Sequence, residues 1–180
     1  MFNQVTRKEF LKIGGISSIS FLMRCHFDQQ QAEAAPNPVA NPNHPNVAII
    51  QRYYDAYGKG DLNTVRQIFA PDIRWRILGH HSLAGVHKGP DQVFAFFQQL
   101  AKAKFKADVL FLGGNDSYVV DVHRGYSNME RDNIDILWAF LFQIKNGRIV
   151  EATNFPGDQH AADAFYSRVY PLKPLPDRLA

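Results

Sequence analysis

The chain has 180 residues, 46% of them hydrophobic and 13% aromatic, enough for one domain with a packed core plus terminal extensions. Lys and Arg number 20 against 17 Asp and Glu; they are scattered without a basic run, which argues against nucleic-acid partners. No apolar stretch reaches the ~20 residues that a bilayer-spanning helix needs, so no stable membrane span is expected.

Taken in chain order, residues 1–34 read as an export signal. Thr6-Arg7-Lys8-Glu9-Phe10-Leu11-Lys12 resembles a twin-arginine motif with Lys8 at the second arginine. Ile13 to Met23 is a short apolar region, and Ala32-Glu33-Ala34 fits a small-x-small cleavage site. The expected destination is periplasmic or extracytoplasmic; the alternative is a cytoplasmic protein with an amphipathic leader. Cleavage after Ala34 would remove Cys25, the one cysteine, and with it thiol catalysis and cysteine-ligated metal. Residues 35–46, rich in Pro and Asn, read as an extended linker.

The domain is expected over residues 47–170. Ile50, Tyr53, Tyr54 and Tyr57 fall on one helical face. Gly58 and Gly60 end that helix, and Asp61 is positioned to cap a second one carrying Leu62, Val65, Ile68 and Phe69, stopped by Pro71. Ile73 to Leu78 alternates as a strand with Ile73, Trp75 and Ile77 on one face and Arg74 and Arg76 on the other. Gly79, Gly85 and Gly89 mark a loop. Pro90 opens a third helix whose stripe is Val93, Phe96, Phe97 and Leu100.

Strands follow: Lys104 to Leu112, Tyr118 to Tyr126, Ile134 to Ile144 and Arg148 to Phe155, with a polar hairpin end from Ser127 to Asn133. Asn146-Gly147 is a strong hairpin signal. Pro156-Gly157-Asp158 opens a last helix bearing Ala161, Ala164 and Phe165, and residues 171–180 form a Pro-rich tail. Three helices, a meander of strands and a closing helix make an α+β domain with a curved, mostly antiparallel sheet.

Gly60-Asp61-Leu62, Leu83-Ala84-Gly85 with Gly89, and Asn146-Gly147-Arg148-Ile149-Val150-Glu151 leading to Asp158-Gln159 resemble, in order and spacing, the SnoaL-like branch of the nuclear transport factor 2-like superfamily. The resemblance covers roughly residues 46–168. It implies a cone-shaped sheet wrapped around three helices, with a pocket between the concave face and the first and third helices. It also implies binding of a small apolar molecule, cofactor-free isomerase, cyclase or dehydratase chemistry, and homodimers formed through the sheets. The alternative is a catalytically silent association module whose cone is filled by its own aromatics.

Asp121 and His123 lie at i and i+2 of one strand, so they share a face, a carboxylate beside an imidazole suited to moving protons near neutral pH. They are either a catalytic pair or an exposed polar face. Aligning Arg52-Tyr53 through Gly60-Asp61 with the ketosteroid isomerases, relatives in the superfamily, implies that Tyr53 stands at their oxyanion-stabilising tyrosine; otherwise it is a core aromatic. Their general base falls near Ile77 and their partner acid near Ala139, so steroid isomerisation is not expected. Candidate substrate-binding residues are Trp75, Phe97, Trp138, Phe140 and Asn154, with His80 and His81 at the pocket mouth. Trp138 is either a pocket wall or core. The opposite face of its strand, with Leu137, Ala139 and Leu141, is a candidate dimer surface. Arg131 and Asp132, adjacent in the chain, read as a solvated turn and not as the water-activating arrangement of limonene epoxide hydrolase relatives. His80, His81, His87, His123 and His160 form no HxH or HxxxH pair, so no metal is expected. Without a phosphate loop, dinucleotide fingerprint or GxSxG elbow, no cofactor is expected either.

Overall fold

The computed structural model describes residues 41–128 and 133–171. The expected export signal, the first half of the expected linker, most of the tail, and Arg131 and Asp132, expected as a turn, lie outside the described residues. Among the described residues, four α-helices and six strands follow the order α1 (Pro45–Gly58), α2 (Leu62–Ile68), β1 (Phe69–Ile77), β2 (Gly85–Lys88), α3 (Gly89–Leu100), β3 (Lys106–Gly114), β4 (Tyr118–Asn128), β5 (Asn133–Lys145), β6 (Arg148–Pro156) and α4 (Gln159–Val169). No helix among them is long and apolar enough to cross a membrane.

Local chemistry sets the helix ends. The His44 ring caps α1 by accepting from the Asn46 N–H, and Pro45 fills the first turn. Gly60, at φ +71°, turns the chain into α2. Asp61 caps α2 through the Thr64 N–H at 3.0 Å, and Asp158 caps α4 through the Ala161 N–H at 2.9 Å. Asn146 and Gly147, both at positive φ, make the tight β5–β6 hairpin.

The sheet order is β2-β1-β6-β5-β4-β3, antiparallel throughout except for the parallel β1–β6 pair. Register shifts interrupt β1, β3 and β5; such bulges bend strands and raise their twist, which curves the sheet without closing it. The helices pack on it, with α3 against β1 and β2, α1 against β3 and β4, and α4 against β5 and β6. Residues opposite one another on a ladder share a face. Ile77, Asn154, Phe140, Asp121 and Leu112 therefore form one row across the inner face, and Trp75, Ala152, Phe142 and Val119 form the next.

Several expectations change. Pro71 does not stop α2, which already ends at Ile68; the chain turns straight into β1, and Pro71 falls in the irregular stretch between Phe69 and Arg74 where no ladder partner needs its missing N–H. Gly85 to Lys88, expected as loop, is an edge strand paired with Arg74 to Ile77. Its four half-buried or exposed residues carry no apolar alternation. Helix α3 also buries Phe94, and α4 buries Ala162, Phe165 and Tyr166 where Ala161, Ala164 and Phe165 were expected. Ser127, expected in a polar hairpin end, is buried in β4 and donates to the Ala103 carbonyl at 2.6 Å.

Candidate functional site

The inner face is aromatic almost throughout. Trp75 packs edge-on against Phe97 at 5.2 Å and lies 5.3 Å from Phe140, which stacks on Phe142 at 5.2 Å. Tyr53 reaches this cluster from α1, with its ring 6.0 Å from Trp75 and 6.2 Å from Phe142. Into this setting β4 projects Asp121 and His123, only 1% and 7% exposed.

A carboxylate is costly to bury unless it is hydrogen-bonded. Asp121 has two partners. The Tyr54 hydroxyl, from the neighbouring position on α1, donates to Oδ2. His123 Nδ1 lies 3.0 Å from Oδ1 and 3.1 Å from Oδ2. The imidazole also stacks on Phe140 at 6.0 Å. With Nδ1–H directed at the carboxylate, Nε2 keeps the lone pair that can exchange a proton with a bound molecule. Burial, then the Asp121 charge, pushes the Tyr54 phenol far above its usual range, so Tyr54 remains a protonated donor. Burial, then Tyr57 and Asp121, raises Tyr53 in the same way.

Asp121, His123, Tyr53, Trp75, Phe97, Phe140 and Asn154 are thus brought to one side of the sheet. Tyr54, which sequence reasoning placed only on a helix face, is the tyrosine that meets Asp121. The alignment pointed to Tyr53, whereas a helix lying on a sheet presents a stripe at least 100° wide, enough for both tyrosines to reach the site.

The remaining candidates sit elsewhere. Trp138 is core beneath α4: its indole N–H donates to the Gly125 carbonyl at 3.2 Å, and its ring packs on Phe105 and Tyr166. Gly125 is required there, because a Cβ would lie 2.4 Å from the Trp138 nitrogen. His81, expected at the pocket mouth, is committed to its own loop. Its Nδ1 accepts from the Leu83 N–H at 3.2 Å, Nε2 lies 3.2 Å from the Leu78 carbonyl, and the ring packs on Tyr166. Burial holds the His81 pKa below its usual value, although Asp163 opposes this. The His80 ring is exposed, with Nδ1 3.6 Å from Asp163. Among the described residues, no three His, Cys, Asp or Glu side chains gather to hold a metal. A shallow depression of about 180 Å³ lined by Tyr118, Leu141, Gln143, Glu151 and Thr153 lies on the outer face of the sheet, opposite the Asp121–His123 pair.

Comparison with known proteins bears on the family and the fold. The family described as "SnoaL-like domain" matches residues 50–152. Uncharacterized protein Rv0034 of Mycobacterium tuberculosis is 30% identical over 123 residues, 66% of this chain and 94% of that one. The structure of Bal32a, from a soil-derived mobile gene cassette, superposes with a TM-score of 0.62 at 29% identity, covering 67% of this chain and 95% of its own. A nuclear transport factor 2-like protein from Burkholderia pseudomallei superposes with a TM-score of 0.60 at 20% identity, over 68% and 97% of the two chains, a likeness of fold alone.

Proposed function

The chain belongs to the SnoaL-like domain family, and from that premise we propose that the inner face binds a small, ring-bearing organic molecule and moves a proton on it through His123 and Asp121. The observation that carries this reading is a carboxylate buried among aromatics and held by one histidine and one tyrosine. For packing alone, a leucine at this position would fill the space without the cost of desolvating a charge.

The chemistry is acid–base. His123 Nε2 takes a proton from carbon beside a carbonyl; the C–H electron pair forms the enolate double bond, and the carbonyl π pair moves to oxygen. Asp121 stabilises the imidazolium that results, and Tyr54 holds the carboxylate in place. Return of the proton to a different carbon is isomerisation. Attack of the enolate carbon on a second carbonyl is cyclisation, and expulsion of a β-hydroxyl is dehydration. All three share the first step, so that step is the one to assay. The test is hydrogen–deuterium exchange of 2-tetralone, a bicyclic ketone, followed by proton NMR in D2O. The protein should accelerate exchange above the buffer background, and His123→Gln should remove the acceleration. A wild-type protein that binds 2-tetralone but leaves exchange at the background rate would overturn the proton-transfer reading and favour a silent module.

The outer face supports a second part of the proposal, a homodimer formed through the sheets. Phe155, Ala139, Val122 and Phe111 form an apolar row there, continued by Leu141, Val120 and Leu137. Leu137, Phe111 and Phe155 are 54%, 45% and 42% exposed. The Arg124–Asp135 pair and the Arg76–Glu151 pair flank this patch. A contiguous apolar patch with a polar rim is the anatomy of an interface, and a second copy of the same face is the complementary partner.

A further inference from the structure

Among the described residues, two buried side-chain polar atoms have no hydrogen-bond partner: Trp75 Nε1 and Asn154 Oδ1. Native interiors rarely leave such atoms unpaired, and each instance calls for a physical reason. Indifference to pairing is not the reason in this protein. Its other indole, Trp138, donates to the Gly125 carbonyl; the buried Ser127 hydroxyl reaches the Ala103 carbonyl; both nitrogens of His81 meet backbone partners.

Both unpaired atoms belong to the inner face. Trp75 on β1 stands opposite Ala152 on β6, and Asn154 lies two residues further along β6, opposite Ile77. On its other side Asn154 stands opposite Phe140, which in turn stands opposite Asp121. Two strand spacings, about 10 Å, therefore separate the Asn154 backbone from that of Asp121, with the half-buried Phe140 between them. That span suits a one- or two-ring molecule lying across Phe140. Arg74 and Arg76, the cations of β1, stand in ladder rows with Glu151 and Thr153, on the outer face. Among the described residues, the inner rows carry no Lys or Arg to balance an anionic ligand.

We propose that Trp75 Nε1–H and the Asn154 amide are the polar anchors of the ligand, one donating to a ligand oxygen and the other bonding a ligand hydroxyl. The ligand class is a neutral hydroxy-carbonyl ring compound. The carbonyl oxygen takes the indole hydrogen bond, and the hydroxyl meets Asn154 in either orientation of the amide, because a hydroxyl both donates and accepts. This placement rests on the proposed proton-transfer site for the position of the reacting carbon, near His123.

Three probes of one shape test it: tetralin, 2-tetralone and 6-hydroxy-2-tetralone, titrated against the full protein while the two indole N–H resonances are followed by 15N–1H NMR. Trp75→Phe assigns the Trp75 resonance by its disappearance. In wild type each added oxygen should tighten binding by roughly tenfold, the effect of a hydrogen bond of about 1.4 kcal/mol, and 2-tetralone should shift the Trp75 resonance. Trp75→Phe should erase the tetralin-to-tetralone step, and Asn154→Leu the tetralone-to-hydroxytetralone step. Trp75→Phe also leaves a cavity in the aromatic cluster and should lower the melting temperature of the free protein, whereas Asn154→Leu keeps nearly the same volume, removes an unpaired polar atom and should not; a fall with Asn154→Leu would mark a structural water bridge and overturn the proposal. Equal affinity for all three probes, with 2-tetralone exchange intact, would overturn the anchors and leave the acid–base reading standing. The stepwise affinities without exchange would support the anchors and sink the acid–base reading. No binding of any probe would overturn both.

Discussion

Replacing Asp121 with asparagine changes the charge of one buried group while keeping its shape. In the native site the carboxylate accepts from both Tyr54 and His123 Nδ1. The asparagine oxygen can still accept from Tyr54. Its NH2 then faces His123 Nδ1 at about the native 3.0 Å separation, where two donors cannot share a hydrogen bond. The imidazole resolves the conflict by moving its proton to Nε2, which places a lone pair on Nδ1 and takes it from the nitrogen that serves as base. In the Ser-His-Asp triad of proteases the same substitution leaves geometry intact and lowers kcat about 10⁴-fold, a penalty of roughly 5.5 kcal/mol. The expected loss of 2-tetralone exchange in Asp121→Asn is therefore of that order, and the residual rate should approach background. Stability should change little. Removing a desolvated charge offsets weaker hydrogen bonds, so a net effect within about 1 kcal/mol, or about 3 °C in Tm, is expected. Long-range 15N–1H spectra of the imidazole read the tautomer directly. Wild type should carry the proton on Nδ1 and the variant on Nε2. A variant that keeps the Nδ1 proton, or exchanges at the wild-type rate, would refute this account of the dyad.

Two other outcomes follow from the geometry. His81 has a folded-state pKa held by burial below the reference 6.5, so between that folded value and about 6.5 the unfolded chain binds a proton that the native state refuses. Its stabilising contribution is whole above 6.5 and is lost as pH falls; melting curves should drop over this window, and less steeply in His81→Gln, whereas an equal slope in both proteins would clear His81 of the effect. Leu137→Arg, at an exposed position of the outer patch, should convert the proposed dimer to folded monomers in light scattering behind size exclusion, with Tm of the monomer within a few degrees of wild type; a monomeric wild type, or an unchanged dimer mass in the variant, would exclude this face as an interface.

Much of the fold is legible because periodicity and punctuation agree. The Asp61 cap, the helix opening at Pro156-Gly157-Asp158, the Asn146-Gly147 turn and the Ile73-Trp75-Ile77 alternation are local features, and all hold. What escapes is what tertiary pairing decides. Gly85 to Lys88 becomes a strand only because β1 offers it an edge. Trp75, Phe140 and Asn154 are recognisable as candidates one at a time. Their meeting depends on the registers of β1 with β6 and of β6 with β5, which no single strand encodes. Tyr54 differs from Tyr53 by one position, a rotation of about 100° on the helix. Only the docking of α1 on β4 shows that Tyr54 is the one that meets Asp121.

The most informative departure lies in β4. Alternation alone would turn Val120 and Val122 toward the core and Asp121 and His123 toward water. The fold does the reverse: Asp121 and His123 are buried, and the valines stand in the outer rows with Ala139, Leu141 and Phe111. A one-residue slip would exchange the two faces, so the native register must be held against the strand's own hydrophobic preference. The Asp121 hydrogen bonds to Tyr54 and His123 contribute from within. Burial of the outer valine face against a second copy would contribute from without. Local pattern and global fold disagree chiefly where function imposes the difference. On this argument the proposed inner proton-transfer site and the proposed outer association surface would be two faces of one inverted strand. A monomeric variant should then hold the dyad less firmly, a coupling visible as a broadened or shifted His123 imidazole signal when Leu137→Arg separates the copies.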